Sequence, residues 1–169
     1  MTPEVQRDLK YVQTVKGTKA LACCIIMEMG DQITPEEYNA TREDRHKFWG
    51  WVDGDEEAIK ASIVKFANAF ADTIDKYNLD GFDLDYEPSF GGDSYTTEMM
   101  RTFIDVMSKY LGPKCDEQFK VNGKHKLLVV DGQWNDAEYA DRFDYFIGQA
   151  YNASSESSLN NRCQDGWQD

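Results

Sequence analysis

The sequence predicts an α/β fold built on a parallel sheet, because helical and strand patterns alternate along its 169 residues. Two further observations support this fold class. The strand patterns include short runs that are apolar on both faces, as buried parallel strands are. Acidic and amide residues lie where these strands end, and functional groups of parallel α/β folds gather at carboxyl ends of strands. No repeat or domain linker interrupts the pattern, so residues 1–169 are predicted to form a single domain.

The first half of the chain is predicted to contain two helices and one buried strand. The first helix spans Thr2 to Lys16, with threonine as its cap, proline in its first turn and Gly17 at its end. A strand follows within Lys19–Met29, and the clearest helix runs from Asp55 to Tyr77. The apolar stripe of the first helix comprises Val5, Leu9, Val12 and Val15. That of the second comprises Ile59, Ile63, Phe66, Phe70 and Ile74.

The second half is predicted to add a helix, two strands and a short helix between them. The long helix runs from about Tyr95 to Tyr110, and the strands lie within Lys126–Val130 and Phe143–Tyr151. A short helix is expected over Asn135–Asp141, and the polar tail from Asn152 is expected to be a loop. The inward residues of the long helix are Met99, Phe103, Ile104, Met107 and Leu111.

The strand between the two long helices carries the most informative pattern, in the stretch Asp80–Pro88, and Asp80 and Gly81 at its start are expected to form a turn. Alternation places its apolar side chains on one face and its carboxyl groups on the other. The apolar positions are Phe82, Leu84 and Tyr86, and the acidic positions are Asp83, Asp85 and Glu87. Like charges about 7 Å apart repel, and burial disfavours the charged form, so at least one carboxyl group is predicted to keep its proton near neutral pH. A protonated acid beside an ionised one is what glycosidic bond cleavage requires; a solvated amphipathic strand is the alternative.

Charge and hydropathy narrow the classes of partner. The formal net charge is −13, so the chain repels nucleic acid phosphates and anionic lipids, and neither partner is expected. A sugar suits this surface better. No apolar run approaches the ~20 residues of a membrane span. The N-terminus lacks the basic and apolar segments of a signal peptide, which favours the cytoplasm if the chain is complete.

The four cysteines show no metal-ligand spacing, so no metal and no cofactor are predicted. Cys23 and Cys24 lie in an apolar run, where cysteine usually packs as a small hydrophobic residue. A disulfide that involves Cys115 or Cys163 is left open.

The acidic stretch resembles the signature Asp-Gly-x-Asp-x-Asp-x-Glu of family 18 glycoside hydrolases, the chitinases and endo-β-N-acetylglucosaminidases. The matching residues are Asp80, Gly81, Asp83, Asp85 and Glu87. These enzymes are (β/α)8 TIM barrels with the signature on the fourth strand. The resemblance therefore implies part of a TIM barrel, about strands three to six, in which Leu21–Met29, Leu127–Asp131 and Ile147–Tyr151 are the other strands. Since four strands cannot close a barrel, we expect this chain to be an internal segment of a longer protein.

The resemblance also implies a substrate-assisted retaining mechanism, in which the 2-acetamido group of the substrate is the nucleophile. By position, Glu87 is the general acid, Asp85 orients the acetamido group, and Asp83 shares a proton with Asp85. Tyr151 resembles the tyrosine that hydrogen-bonds the acetamido carbonyl, and Gln149 would line the same pocket. The alternatives are a core aromatic residue at Tyr151 and a capped strand end at Gln149.

Three further residues at this end of the sheet are candidates for substrate binding: Asp131, Trp134 and Asn152. Trp134, like Trp49 and Trp51, could stack on a sugar face or simply pack against the protein.

The substrate class follows from departures from the chitinase pattern. Chitinases commonly end the third strand with Ser-x-Gly-Gly, where this chain has Glu28-Met29-Gly30-Asp31, and they carry Met-x-Tyr-Asp where it has Gln149-Ala150-Tyr151-Asn152. Both departures resemble the endo-β-N-acetylglucosaminidases, which cut the GlcNAc-β-1,4-GlcNAc core of N-glycans. The expected ligand is thus an N-glycan or chitin-type oligosaccharide, and the resemblance favours a secreted or cell-surface enzyme. A chitinase and a non-catalytic glycan-binding barrel are the alternatives.

Overall fold

The computed structural model describes residues 1–26, 56–86, 97–132, 136–149 and 154–158. Its strands are β1 (Leu21–Ile26), β2 (Gly81–Tyr86), β3 (Leu127–Gly132) and β4 (Tyr145–Ile147). Its helices are α1 (Pro3–Thr14), α2 (Glu56–Lys76) and α3 (Thr97–Tyr110). The strands form one parallel sheet in the order β1-β2-β3-β4. Parallel strands that neighbour one another in chain order are the arrangement of consecutive strands in a (β/α)8 barrel, so the predicted fold class is confirmed.

The core lies between the sheet and helices α2 and α3. The side chains of Phe82, Leu84 and Tyr86 are buried, as alternation in β2 predicts. The Phe82 ring lies 5.1 Å from that of Phe70 on α2 and 6.0 Å from that of Phe103 on α3. A fully buried side chain of this size stabilises the fold by about 1.5–3 kcal/mol. Other predicted core residues that are buried are Ile63, Ile74, Ile104, Met107 and Leu111, whereas the side chains of Ile59 and Met99 lie outside the described part.

Helix α1 has the predicted threonine cap, but it ends at Thr14 rather than Lys16, and its apolar stripe is not buried. The Thr2 side chain accepts a hydrogen bond from the Val5 N–H at 3.4 Å, and Gly17 follows the helix with φ +68°. Leu9 packs against the core, but Val5 and Val15 are 46% and 62% exposed. The reason is that α1 precedes β1, an edge strand of the described sheet, so no further strand lies beneath the rest of its stripe in the described residues.

Two aspartates make the same pair of hydrogen bonds near the amino ends of neighbouring strands. Asp80 donates its N–H to the Ala20 carbonyl at 2.8 Å, and its carboxylate accepts the Ala20 N–H at 3.0 Å. Asp144 does the same with Leu128, at 2.8 Å and 2.9 Å. Each aspartate thereby fixes the start of one strand against its neighbour.

Asp80, which the sequence suggested was only part of a turn, is therefore a structural residue. Its carboxylate also accepts hydrogen bonds from the Gln13 amide at 2.8 Å and from Lys19 at 3.0 Å. Burial alone would raise the pKa of Asp80, but the hydrogen bonds from Ala20, Gln13 and Lys19, with the charge of Lys19, lower it overall.

The last elements differ from the predictions. The helix expected over Asn135–Asp141 is a 3-10 helix, Ala137–Arg142, and the connection expected to be irregular contains another, Glu117–Phe119. The described strand β4 ends at Ile147, before the predicted end, because its last partner is Asp131 and β3 stops one residue later. Residues 156–158 in the tail expected to be a loop are helical. Within the described ranges, no helix is both long and apolar enough to cross a membrane.

Candidate active site

The carboxyl groups of β2 share the face of the sheet opposite the helices. Asp83 and Asp85 alternate with the buried residues, so the predicted two-faced strand is confirmed. The register of the parallel strands places Cys23 of β1 beside Asp83, and Asp131 of β3 beside Asp85. Side chains paired in this way project to the same face, so three carboxyl groups and one thiol meet there.

The side chain of Gln149 joins this group from beyond the end of β4. Its amide nitrogen donates to Oδ1 of Asp85 at 2.9 Å, although 64 residues separate the two in the chain. The contact orients the Asp85 carboxylate on this face of the sheet. Of the eight candidate site residues, the structure thus brings together Asp83, Asp85, Asp131 and Gln149.

Asp83 is held in an environment that favours its protonated form. Burial and the negative charge of Asp131 raise its pKa, and a hydrogen bond from the Cys23 thiol lowers it in part. Oδ1 of Asp83 is buried and has no hydrogen-bond partner among the described residues. The raised pKa lies in the direction that proton retention near neutral pH requires, and that retention itself stays a prediction.

Cys23 is the member of this group that the sequence missed. It was expected to pack in the core, but it is exposed on the carboxylate face, while Cys24 is buried on the other. Partial burial of the thiol and the negative charges of Asp83, Asp85 and Asp131 raise its pKa to about 12. Alternation alone separates Cys23 from Cys24, but only the register of β1 against β2 reveals that Asp83 is its neighbour.

Glycines at both ends of the β2–β3 pair hold this register. A Cβ atom at Gly81 would lie 2.1 Å from the carbonyl oxygen of Leu127. A Cβ atom at Gly132, whose φ is +107°, would lie 2.4 Å from the carbonyl oxygen of Tyr86. Only glycine permits such close approach of two backbones, so these positions keep Asp85 level with Asp131.

The remaining candidate residues lie outside the described residues. These are Glu87, Trp134, Tyr151 and Asn152, together with Trp49 and Trp51. Cys163 lies outside them too, whereas Cys115 is a free, buried cysteine. Among the residues that the structure describes, no group of three or more His, Cys, Asp and Glu side chains is arranged to hold a metal ion.

The face that this site occupies can support acid–base chemistry on an uncharged ligand. It offers a carboxyl group biased toward protonation, a second carboxyl group fixed by an amide, and a third beside it. Acids whose environments differ in this way can divide the roles of proton donor and charge stabiliser.

Comparison with known sequences points to carbohydrate-active enzymes. The family model "Glycoside hydrolase family 18, BT1044-like" matches residues 4–165. The chain is 35% identical over 86 residues to "Endo-beta-N-acetylglucosaminidase F2" of Elizabethkingia meningoseptica, a match that covers 48% of the chain and 23% of the relative. It is 36% identical over 88 residues to "Chitinase A1" of Niallia circulans, which covers 48% of the chain and 12% of the relative.

Comparison with solved structures agrees with the fold. The chain is similar to a selenomethionine variant of BT1044, with 33% identity and a TM-score of 0.67. The similarity covers 98% of this chain and 49% of that one, so the chain spans about half of the solved relative.

Proposed function

Because this chain belongs to glycoside hydrolase family 18, we propose that it carries the acidic strand of an enzyme that hydrolyses the GlcNAc-β-1,4-GlcNAc bond in the core of N-glycans. The observation that supports this most is the alignment of Asp83 and Asp85 on one face, with the Gln149 amide held on Asp85 at 2.9 Å. An endo-β-N-acetylglucosaminidase among the relatives supports the linkage. So do the departures from the chitinase pattern at Glu28–Asp31 and Gln149–Asn152.

In the proposed first step, the Glu87 carboxylic acid protonates the glycosidic oxygen as the bond from that oxygen to the anomeric carbon breaks. The acetamido oxygen of the substrate attacks the same carbon and forms an oxazolinium ion, so the enzyme needs no nucleophile of its own. Tyr151 would donate a hydrogen bond to the acetamido group during this attack. Asp85 would accept the acetamido N–H and stabilise the positive ring that forms.

Gln149 would fix the orientation of the Asp85 carboxylate, and Asp83 would affect its protonation. The Gln149 amide donates to Oδ1 of Asp85 at 2.9 Å, and this contact would hold the Asp85 carboxylate in place for the acetamido group. Asp83, whose pKa is raised by burial and by the charge of Asp131, can hold a proton while Asp85 is ionised. Shared protonation of this kind is expected of two neighbouring carboxyl groups.

In the second step, the Glu87 carboxylate takes a proton from a water molecule whose oxygen attacks the anomeric carbon. The oxazolinium ring opens, the acetamido group is restored, and the anomeric configuration is retained. Asp131, Trp134 and Asn152 are proposed to contact the sugars that flank the bond.

The experiment that tests this function uses the whole protein that contains the chain. It is incubated in parallel with a high-mannose glycoprotein and with a chitin oligosaccharide, and the products are identified by mass spectrometry. Cleavage of the glycoprotein that leaves one GlcNAc on the asparagine supports the proposal. Cleavage of chitin oligosaccharides alone supports a chitinase, a candidate that the match to chitinase A1 favours. Binding of either glycan without any product supports a non-catalytic glycan-binding barrel and contradicts the proposed activity.

A matched substrate tests the substrate-assisted step. An analogue whose 2-acetamido group is replaced by hydroxyl keeps the glycosidic bond but lacks the internal nucleophile. The proposal expects no turnover of this analogue, and turnover at a rate similar to that of the natural substrate contradicts it.

The resemblance also leads us to propose that the whole protein is secreted or held at the cell surface. Fractionation of the producing cells with an antibody against this chain tests that location, and recovery in the cytosol alone contradicts it.

A further inference from the structure

Cys23 lies beside Asp83 on the carboxylate face. It is on edge strand β1, at the register position of Asp83 on β2. Side chains at paired positions of parallel strands project to the same face, so the thiol and the carboxyl group are neighbours. Cys24, the next residue, is buried on the helix side of the sheet and offers a natural comparison.

The Cys23 thiol is a hydrogen-bond donor under ordinary conditions. Its pKa is raised to about 12, so it keeps its proton near neutral pH. A protonated thiol is a poor nucleophile and a poor metal ligand, but it can donate a weak hydrogen bond to a carboxylate. The hydrogen bond between Cys23 and Asp83 lowers the pKa of Asp83, against burial and the charge of Asp131.

The groups around Asp83 show why this donor matters. Burial and the negative charge of Asp131, which lies on β3 at the register position of Asp85, raise the pKa of Asp83 and so oppose its ionisation. Asp85 lies on the same face of β2. The helices of the described chain lie on the other face of the sheet, where β2 presents Phe82 and Leu84. Among the described residues that face Asp83, Cys23 is thus the group that favours its ionised form.

We propose that Cys23 is a positioning residue of the site, whose thiol orients Asp83 from the neighbouring strand and sets how Asp83 and Asp85 share a proton. The effect of Cys23 on catalysis rests on the proposed function. The effect of Cys23 on Asp83 does not rest on it, because the contact between the two residues exists without substrate. A serine at position 23 keeps a donor, whereas a valine keeps a similar shape without one.

The titration of Asp83 tests the inference without any activity assay. Carboxyl carbon NMR shifts of the aspartates are followed against pH, with Asp83→Asn used to assign the signal. In Cys23→Val the Asp83 midpoint is expected to move to higher pH, because the hydrogen bond to its ionised form is lost. In Cys23→Ser it stays near that of the unsubstituted protein. Equal midpoints in all three proteins overturn the inference, and so does an equal shift in Cys24→Val, which acts through the opposite face.

Alkylation of the Cys23 thiol tests the same contact through a substitution at Asp83, and so does not require a Cys23 variant that folds. Iodoacetamide modification of the Cys23 peptide is timed by mass spectrometry at one alkaline pH, in the unsubstituted protein and in Asp83→Asn. Since the charge of Asp83 raises the pKa of Cys23, faster modification is expected in Asp83→Asn. An unchanged rate overturns the inference.

Kinetics then separate this inference from the proposed function. If the whole protein cleaves the N-glycan core, Cys23→Val is expected to lower kcat about two- to tenfold, as loss of one hydrogen bond does, with KM little changed. Cys23→Ser is expected to restore most of kcat. If the protein cleaves no glycan, the proposed function fails. The titration of Asp83 still decides whether the Cys23 thiol is hydrogen-bonded to Asp83.

Discussion

Replacement of Gly81 by alanine is expected to separate β2 from β3 at the base of the acidic strand. The added Cβ atom would lie 2.1 Å from the Leu127 carbonyl oxygen and 2.8 Å from the carbonyl carbon and nitrogen of the same residue, where real contacts essentially never fall below 3.0 Å. All three contacts are with backbone, so a side-chain rotation cannot relieve them. The strands must therefore move apart by roughly 1 Å.

That movement breaks a specific hydrogen bond. The Leu127 N–H donates to the Asp80 carbonyl at 2.8 Å, and a further 1 Å takes this contact beyond hydrogen-bond range. Overpacking costs about 1–3 kcal/mol and the lost bond about 0.5–1.5 kcal/mol. Alanine offsets about 0.4–1 kcal/mol by restricting the unfolded chain. The net expectation is a loss of roughly 0.5–4 kcal/mol in the free energy of unfolding.

Urea unfolding followed by circular dichroism measures this loss. The matched control is Gly148→Ala, since a Cβ atom there meets only Phe146, at an ordinary 3.8 Å. The control is expected to change stability by no more than about 0.5 kcal/mol. A Gly81→Ala protein that unfolds at the same urea concentration as Gly148→Ala would refute the close approach of β2 and β3.

Three further substitutions test the charges and hydrogen bonds of residues in and around β2. Asp80→Asn is expected to lower the free energy of unfolding at neutral pH by about 1–2 kcal/mol. Because the pKa of Asp80 is lowered in the folded protein, this deficit should shrink as the pH falls below the ordinary value of 3.8; urea unfolding at several pH values shows whether it does. Asp83→Asn is expected to have the opposite effect, because the pKa of Asp83 is raised in the folded protein and its ionised form destabilises the fold. The variant should have a higher free energy of unfolding than the unsubstituted protein at neutral pH and the same free energy of unfolding below pH 3.8. A difference that does not change with pH would contradict this expectation. Gln149→Ala removes the amide from Asp85 and is expected to slow glycan release about tenfold, whereas an unchanged kcat would show that the contact has no catalytic part.

The elements of the fold follow from local patterns, which explains why most of them could be predicted. Apolar spacing alone identified α2, α3 and the strands, and alternation along Phe82–Tyr86 alone assigned the carboxyl groups to one face. These features depend on residues close in the chain. They survive in the structure because each strand has a helix layer on one side to pack against.

The features that sequence reasoning missed depend on contacts between distant segments. Asp80 was taken for a turn residue because its partners, Gln13 and Lys19, lie more than 60 residues away. Cys23 was assigned to packing because nothing in its own strand reveals the register that puts it beside Asp83. The stripe of α1 was expected to be buried because periodicity does not show how many strands lie beneath a helix.

The central proposal is that Glu87, the acid that follows β2 in the sequence, donates the proton that allows the glycosidic bond to break. The most direct measurement compares glycan release from a high-mannose glycoprotein by the whole protein and by its Glu87→Gln variant, which keeps the shape of the side chain but not its acid. Release by the variant is expected to fall by about 10²–10⁴-fold, while the glycan still binds. Release by Glu87→Gln at the unsubstituted rate contradicts the account.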